Sequence, residues 1–112
     1  MPTLKLFVSE GAIEQARADR MLERFCEVLS DFETVDPKTI KAGVVVMGPF
    51  LNNNPAKKGF LCLEACLLSG RPPELKARMA DALKSVLDAL AGDDGLSLTV
   101  EIREMEREFY RG

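Results

Sequence analysis

The chain has 112 residues, of which 46% are apolar and 29% charged, enough for one globular unit with a real core but not for two. A net charge of −3, with no basic stripe interleaved with aromatics, argues against nonspecific nucleic-acid binding. The absence of histidine removes Ser-His-Asp and Cys-His nucleophile systems and His-ligated metal sites together. Acid–base chemistry near neutral pH is then left to a perturbed carboxylate, a lysine, a cysteine or a terminal amine. The longest apolar runs fall short of a membrane span, and no positively charged n-region precedes a long apolar core. The expected compartment is the cytoplasm.

Pro2 follows Met1 directly and leads into a strand-like run over residues 2–8, with Leu4, Leu6 and Val8 on one face and Phe7 on the other. A helical stretch follows, in which Ile13, Ala16, Met21, Phe25, Val28, Leu29 and Phe32 fall largely on one side. Asp36-Pro37 punctuates its exit. A second strand is expected over residues 40–47, where Val44-Val45-Val46 predicts burial on both faces. Gly48-Pro49 and Asn52-Asn53-Asn54-Pro55 mark a long polar connection.

A third strand is expected over residues 60–68. Arg71-Pro72-Pro73-Glu74 then reads as a helix start, since proline tolerates the first turn and a carboxylate suits its positive end. Leu75, Met79, Ala82, Leu83, Val86, Leu87 and Leu90 make the cleanest helical stripe in the chain, and Gly92 is the natural stop. A last strand over residues 96–104 precedes a short tail, Glu108-Phe109-Tyr110.

The pattern is strand, helix, strand, twice, at an offset of about sixty residues. Ser9-Glu10-Gly11-Ala12 before the first helix parallels Leu68-Ser69-Gly70-Arg71 before the second. The expected fold class is α/β (equally α+β): one domain over residues 1–112 made of two βαβ halves, about 2–48 and 59–105, with a short tail. The four strands form one sheet with both helices on one face. The other face is expected to be bare and partly apolar, with Phe7 and Leu68 as candidates, which points to oligomerisation.

Of the three cysteines, Cys62 and Cys66 share a strand face about 13 Å apart, too far for a disulfide or a shared metal, and Cys26 lies in the first helix. Buried free thiols are expected. Removal of Met1 by ordinary processing would leave Pro2 as a free secondary amine at the head of a strand. An α-amino group starts near a pKa of about 7.7–8.0, and burial or nearby cations lower it. The plain alternative is that Pro2 is an accident of the start site.

Pro2 after Met1, the two βαβ halves and the Gly70-Arg71 step together resemble the tautomerase superfamily, whose members use an amino-terminal proline as catalytic base. The second half, from Leu68-Ser69-Gly70-Arg71 to Val100-Glu101-Ile102-Arg103-Glu104-Met105, is similar to a whole subunit of the 4-oxalocrotonate tautomerases. The full length, the double unit and Leu98-Thr99-Val100-Glu101-Ile102 are closer to the 5-carboxymethyl-2-hydroxymuconate isomerases. The resemblance covers nearly the whole chain and implies a homotrimer, with Pro2 in a pocket at the sheet edge near a subunit boundary.

It further implies that Arg71 matches the arginine after the glycine that precedes the family helix, a place held by Ala12 in the first half. A second family arginine, early in the following strand, corresponds to Lys41 in the first half and Thr99 in the second. Lys41 and Arg71 together would complete one site beside Pro2. Lysine lacks the rigid fork that grips a carboxylate, so affinity would be reduced or redirected. Tyr110 falls near a pocket phenylalanine of the small members.

The implied reaction is a proton shuttle between a dienol and an enone on a small anionic unsaturated acid, with no metal or organic cofactor. Neutral Pro2 accepts the proton and returns it at carbon, while Lys41 and Arg71 hold carboxylates. Within the superfamily a protonated Pro2 would serve hydration or dehalogenation instead. A noncatalytic trimeric binding protein is the reading if Met1 is retained. Residue by residue, Arg71 also reads as a surface group at a helix entry, Lys41 as an edge-strand lysine, and Lys57 and Lys58 as a solvated loop.

Overall fold

Alternation in the first strand separates two environments. Leu4, Leu6 and Val8 of β1 (Thr3–Ser9) are buried, while Lys5 between them is exposed. The structure, a computed structural model, describes residues 2–92 and 95–112. In α1 (Gln15–Ser30), Ala18, Met21, Phe25 and Leu29 recur at helical spacing and form the buried stripe. Ile13 and Phe32 pack on the same core from the turns that flank the helix. Ser30 Oγ donates to the Cys26 carbonyl at 2.7 Å, and a short 3-10 turn over Pro37–Thr39 is capped by the Asp36 side chain.

The chain continues through β2 (Lys41–Met47), β3 (Gly59–Leu68), α2 (Pro73–Ala91) and β4 (Leu96–Met105), and a last 3-10 turn spans Arg107–Phe109. Pro72 caps α2 with Pro73 in its first turn, and the helix stops at Gly92, whose φ of 69° suits glycine. No helix among the described residues is long and apolar enough to cross a membrane.

The strand order is β2-β1-β3-β4. β1 pairs parallel with β2, β3 parallel with β4, and the two halves join antiparallel through β1 and β3. Leu4 faces Ala65, Leu6 faces Leu63 and Val8 faces Leu61, and this row packs under Met21, Phe25, Leu29, Met79, Leu83 and Leu87.

One expectation needs correction. Val44-Val45-Val46 is not buried on both faces. β2 is an edge strand that α1 touches only lightly, so Val45 is 42% and Val46 63% exposed in the single chain. The open face of the sheet is partly apolar, as expected, and partly charged. Phe7 and Leu68 are half-buried there, and they share the face with Lys5, Glu64, Glu101 and Arg103. Arg103 approaches Glu64 at 3.6 Å, and the Cys66 thiol donates to Glu64 Oε1 at 3.5 Å. The most exposed large apolar side chains lie along β2, beyond it at Phe50 and Leu51, and in the tail at Phe109. Cys26, Cys62 and Cys66 are free thiols.

Candidate active site

Parallel pairing brings the start of β1 beside the start of β2, and antiparallel pairing brings both beside the end of β3. One end of the sheet therefore collects Pro2, Lys41, the Leu68–Gly70 turn, Arg71 and the tail after β4. Pro2 is fully buried, and its carbonyl accepts the Lys41 backbone N–H at 3.1 Å. The Lys41 side chain is exposed on the sheet edge. Met1 lies outside the described residues, so the processing that frees the Pro2 nitrogen falls outside them too.

Arg71 is no loose surface group. Its Nε donates to Thr34 Oγ1 at 3.1 Å, Nη2 to the Thr34 carbonyl at 2.9 Å and Nη1 to the Leu68 carbonyl at 3.2 Å. The side chain thus ties the loop after α1 to the turn before α2. Burial pushes its guanidinium below the usual arginine value, and the neighbouring charge of Arg107 adds to the effect. Arg107 follows β4, and its Nε donates to the Ser69 carbonyl at 2.8 Å. Gly70, between the two arginines in this turn, has φ of 119°, a conformation that disfavours any side chain. Sequence reading missed Arg107 and Thr34. Both sit in aperiodic segments, where spacing carries no signal.

Tyr110 follows the 3-10 turn after β4, in the same tail as Arg107. Its ring packs against Gly112, and its N–H donates to the Arg107 carbonyl at 3.2 Å. The single chain therefore gathers Pro2, Lys41, Arg71 and Arg107 at one sheet end, with Tyr110 next to Arg107 in the tail that follows β4. Lys57 and Lys58 stand at the opposite end, where the Lys58 N–H meets the Gly95 carbonyl at 2.9 Å.

The opposite end repeats the backbone without the arginine pair, with Lys58 beside Glu10 instead. Glu10 N–H donates to the Met47 carbonyl at 2.9 Å as Ser69 N–H does to Met105 at 2.9 Å, and Gly11 matches Gly70 in positive φ. Ala12 stands where Arg71 stands in the second half. Ser9 is wholly buried, and its hydroxyl extends the β1–β3 pairing by accepting from Phe60 N–H at 2.9 Å and donating to Phe60 O at 3.2 Å. An apolar groove of about 460 Å³ opens on this side between α1 and β2, lined by Ile13, Ala18, Leu22, Val44 and Val46. Among the described residues no group of three or more Cys, Asp or Glu side chains is placed to hold a metal ion.

No family model matches the sequence, and no curated protein matches it. Solved structures do match the fold. A 5-carboxymethyl-2-hydroxymuconate isomerase from Deinococcus radiodurans R1 superposes with a TM-score of 0.84 at 23% identity, over 99% of this chain and 87% of its own. A member of the cis-3-chloroacrylic acid dehalogenase family gives 0.80 at 18% identity, over 98% of this chain and 79% of its own. A fused 4-OT described as an asymmetric trimer gives 0.79 at 14% identity, over 98% and 91%. The chain has the fold of the tautomerase superfamily.

Proposed function

We propose that this protein is a cofactor-independent isomerase that moves a proton within a small unsaturated carboxylated acid, of the kind exemplified by 5-carboxymethyl-2-hydroxymuconate in aromatic-acid breakdown. The observation that carries the reading is the placement of buried Pro2 at the cationic end of the sheet, beside Lys41 and the Gly70-Arg71 turn. The likeness in fold to an isomerase of that substrate supports it.

Once Met1 is removed, the Pro2 nitrogen is a secondary amine. Burial and the nearby positive charges lower its pKa and keep more of it neutral at physiological pH. It takes a proton from the dienol and returns it at carbon, while Lys41 and Arg71 stabilise the negative charge that develops on the dienolate and its carboxylates. The working unit is a homotrimer. The exposed valines of β2 and the trimeric fused 4-OT structures support that assembly.

The test is an ultraviolet assay against hydroxymuconate-type dienols and phenylenolpyruvate, with protein shown by intact mass to begin at Pro2. General-base catalysis contributes about 10²–10⁴-fold, and alanine keeps a primary amine, so Pro2→Ala is expected to lower kcat about 10²-fold with little change in KM. The rate should rise as the amine loses its proton. Unchanged turnover in the processed variant removes Pro2 as the base, and a rate that falls on deprotonation assigns it the acid role of the hydratases and dehalogenases instead.

A further inference from the structure

Among the described residues some arginines of this fold meet carboxylates and others bond only to carbonyl or hydroxyl oxygens. Arg24 pairs with Glu27 at 3.0 Å and Arg103 approaches Glu64 at 3.6 Å, whereas Arg107 meets no carboxylate among the described residues. Glu104, next to the last residue of β4, is taken by Lys76 at 3.1 Å. Glu106 and Glu108 flank Arg107 in the chain, and neither pairs with it. Among the described residues its one side-chain bond runs from Nε to the Ser69 carbonyl, at 2.8 Å. That tether orients the guanidinium and leaves the edge formed by Nη1 and Nη2, two parallel donors whose spacing matches a carboxylate.

A second guanidinium lies beside it. Arg71 is bound to the adjacent carbonyl of the same turn, Leu68, and is close enough for the two charges to act on one another. Two like charges held together, one of them partly desolvated, cost free energy that an anion between or beside them recovers. The Gly70 conformation keeps the turn between them free of a side chain.

We propose that Arg107 is a carboxylate-binding residue, which the Ser69 carbonyl positions beside Arg71 so that the pair selects doubly charged acids over singly charged ones. The inference rests on reading the proline end of the sheet as the substrate site. It deepens that reading by making the tail after β4, and not only Lys41 and Arg71, part of acid recognition.

The probes are trans,trans-muconate and sorbate, six-carbon dienes that differ by a carboxylate in place of a methyl group. Their dissociation constants are measured by calorimetry on the processed full-length protein and on Arg107→Gln, Arg107→Lys and, as a nearby control, Arg111→Gln. Loss of a charge-assisted bond should weaken muconate about 10- to 100-fold in Arg107→Gln. Sorbate should change much less, so the preference for the diacid collapses. Arg107→Lys, which keeps the charge but not the fork, should fall between, and Arg111→Gln should match wild type. In the arginine region of the ¹H–¹⁵N NMR spectrum, the Arg107 Nε–H signal should shift on muconate addition.

Equal muconate affinity in wild type and Arg107→Gln overturns the proposal, as does a wild-type protein that does not bind muconate. The isomerase reading is tested separately. Muconate binding that depends on Arg107, without turnover of any dienol, leaves this inference standing and removes the isomerase. Turnover lost in Pro2→Ala but diacid binding indifferent to Arg107 does the reverse.

Discussion

Replacing Arg71 by alanine separates a structural tether from a substrate contact. The side chain makes three hydrogen bonds to protein acceptors, at 3.1, 3.2 and 2.9 Å, that join Thr34 after α1 to Leu68 before α2. Each such bond contributes about 0.5–1.5 kcal/mol net, because water replaces the lost partner at an accessible carbonyl. Relief of the repulsion with Arg107 returns a few tenths of a kcal/mol, as for other accessible like-charged pairs. The balance predicts a loss of about 2 kcal/mol in Arg71→Ala, which for a chain of 112 residues lowers Tm by about 8 °C. Arg107→Ala removes one bond from an exposed side chain and should cost less than about 1 kcal/mol. Urea titration followed by circular dichroism at one fixed protomer concentration measures both, since assembly makes apparent stability concentration-dependent. An Arg71→Ala protein within about 0.5 kcal/mol of wild type, the range of ordinary surface substitutions, refutes the tether.

Two further outcomes are expected. Burial pushes the thiols of Cys26 and Cys66 up, and for Cys66 the hydrogen bond to Glu64 adds to the effect. The unfolded chain then releases these protons first, so their contribution to stability is whole below about pH 8.5 and declines as pH rises through the higher folded values; a pH series of urea midpoints showing stability rising across that window would contradict the assignment. Placing a charge on the exposed edge, as Val45→Lys, should convert the proposed trimer to monomer in sedimentation while leaving the far-ultraviolet spectrum intact, because β2 contributes little to the core of its own chain; an unchanged sedimentation coefficient moves the subunit boundary away from β2.

The fold was legible because both of its periodicities are strong. Leu4, Leu6 and Val8 alternate as a strand must, and Met79, Leu83 and Leu87 recur at four-residue spacing as a helix must. Val44-Val45-Val46 misled for a physical reason. A run of β-branched residues reports a surface that needs covering, and it does not say whether this chain or another covers it. The candidate site was legible only in part. Pro2, Lys41 and Arg71 lie at ends of regular elements, so knowing the strand pairing places them together. Thr34 and Arg107 lie in loops whose course is set by tertiary contacts, and nothing in their spacing anticipates the bonds they make.

The duplicated halves show why one end of the sheet is the better candidate. Backbone geometry alone would allow two, since Glu10 and Ser69 make the same strand-end bond and Gly11 and Gly70 both take positive φ. The difference is in charge. At the first-half end the turn carries Glu10 and Ala12, the Glu10 side chain packs against Gly48, and the Ser9 hydroxyl is consumed by the Phe60 backbone. At the second-half end the corresponding positions are Ser69 and Arg71, with Arg107 alongside. An anionic acid approaching the first end meets the Glu10 carboxylate with Lys58 alongside, and approaching the second meets two guanidinium groups. Divergence of the two copies has thus left the backbone nearly equivalent and gathered two guanidinium charges at one end only. Those charges are what a terminal amine needs nearby if it is to stay neutral and act as a base.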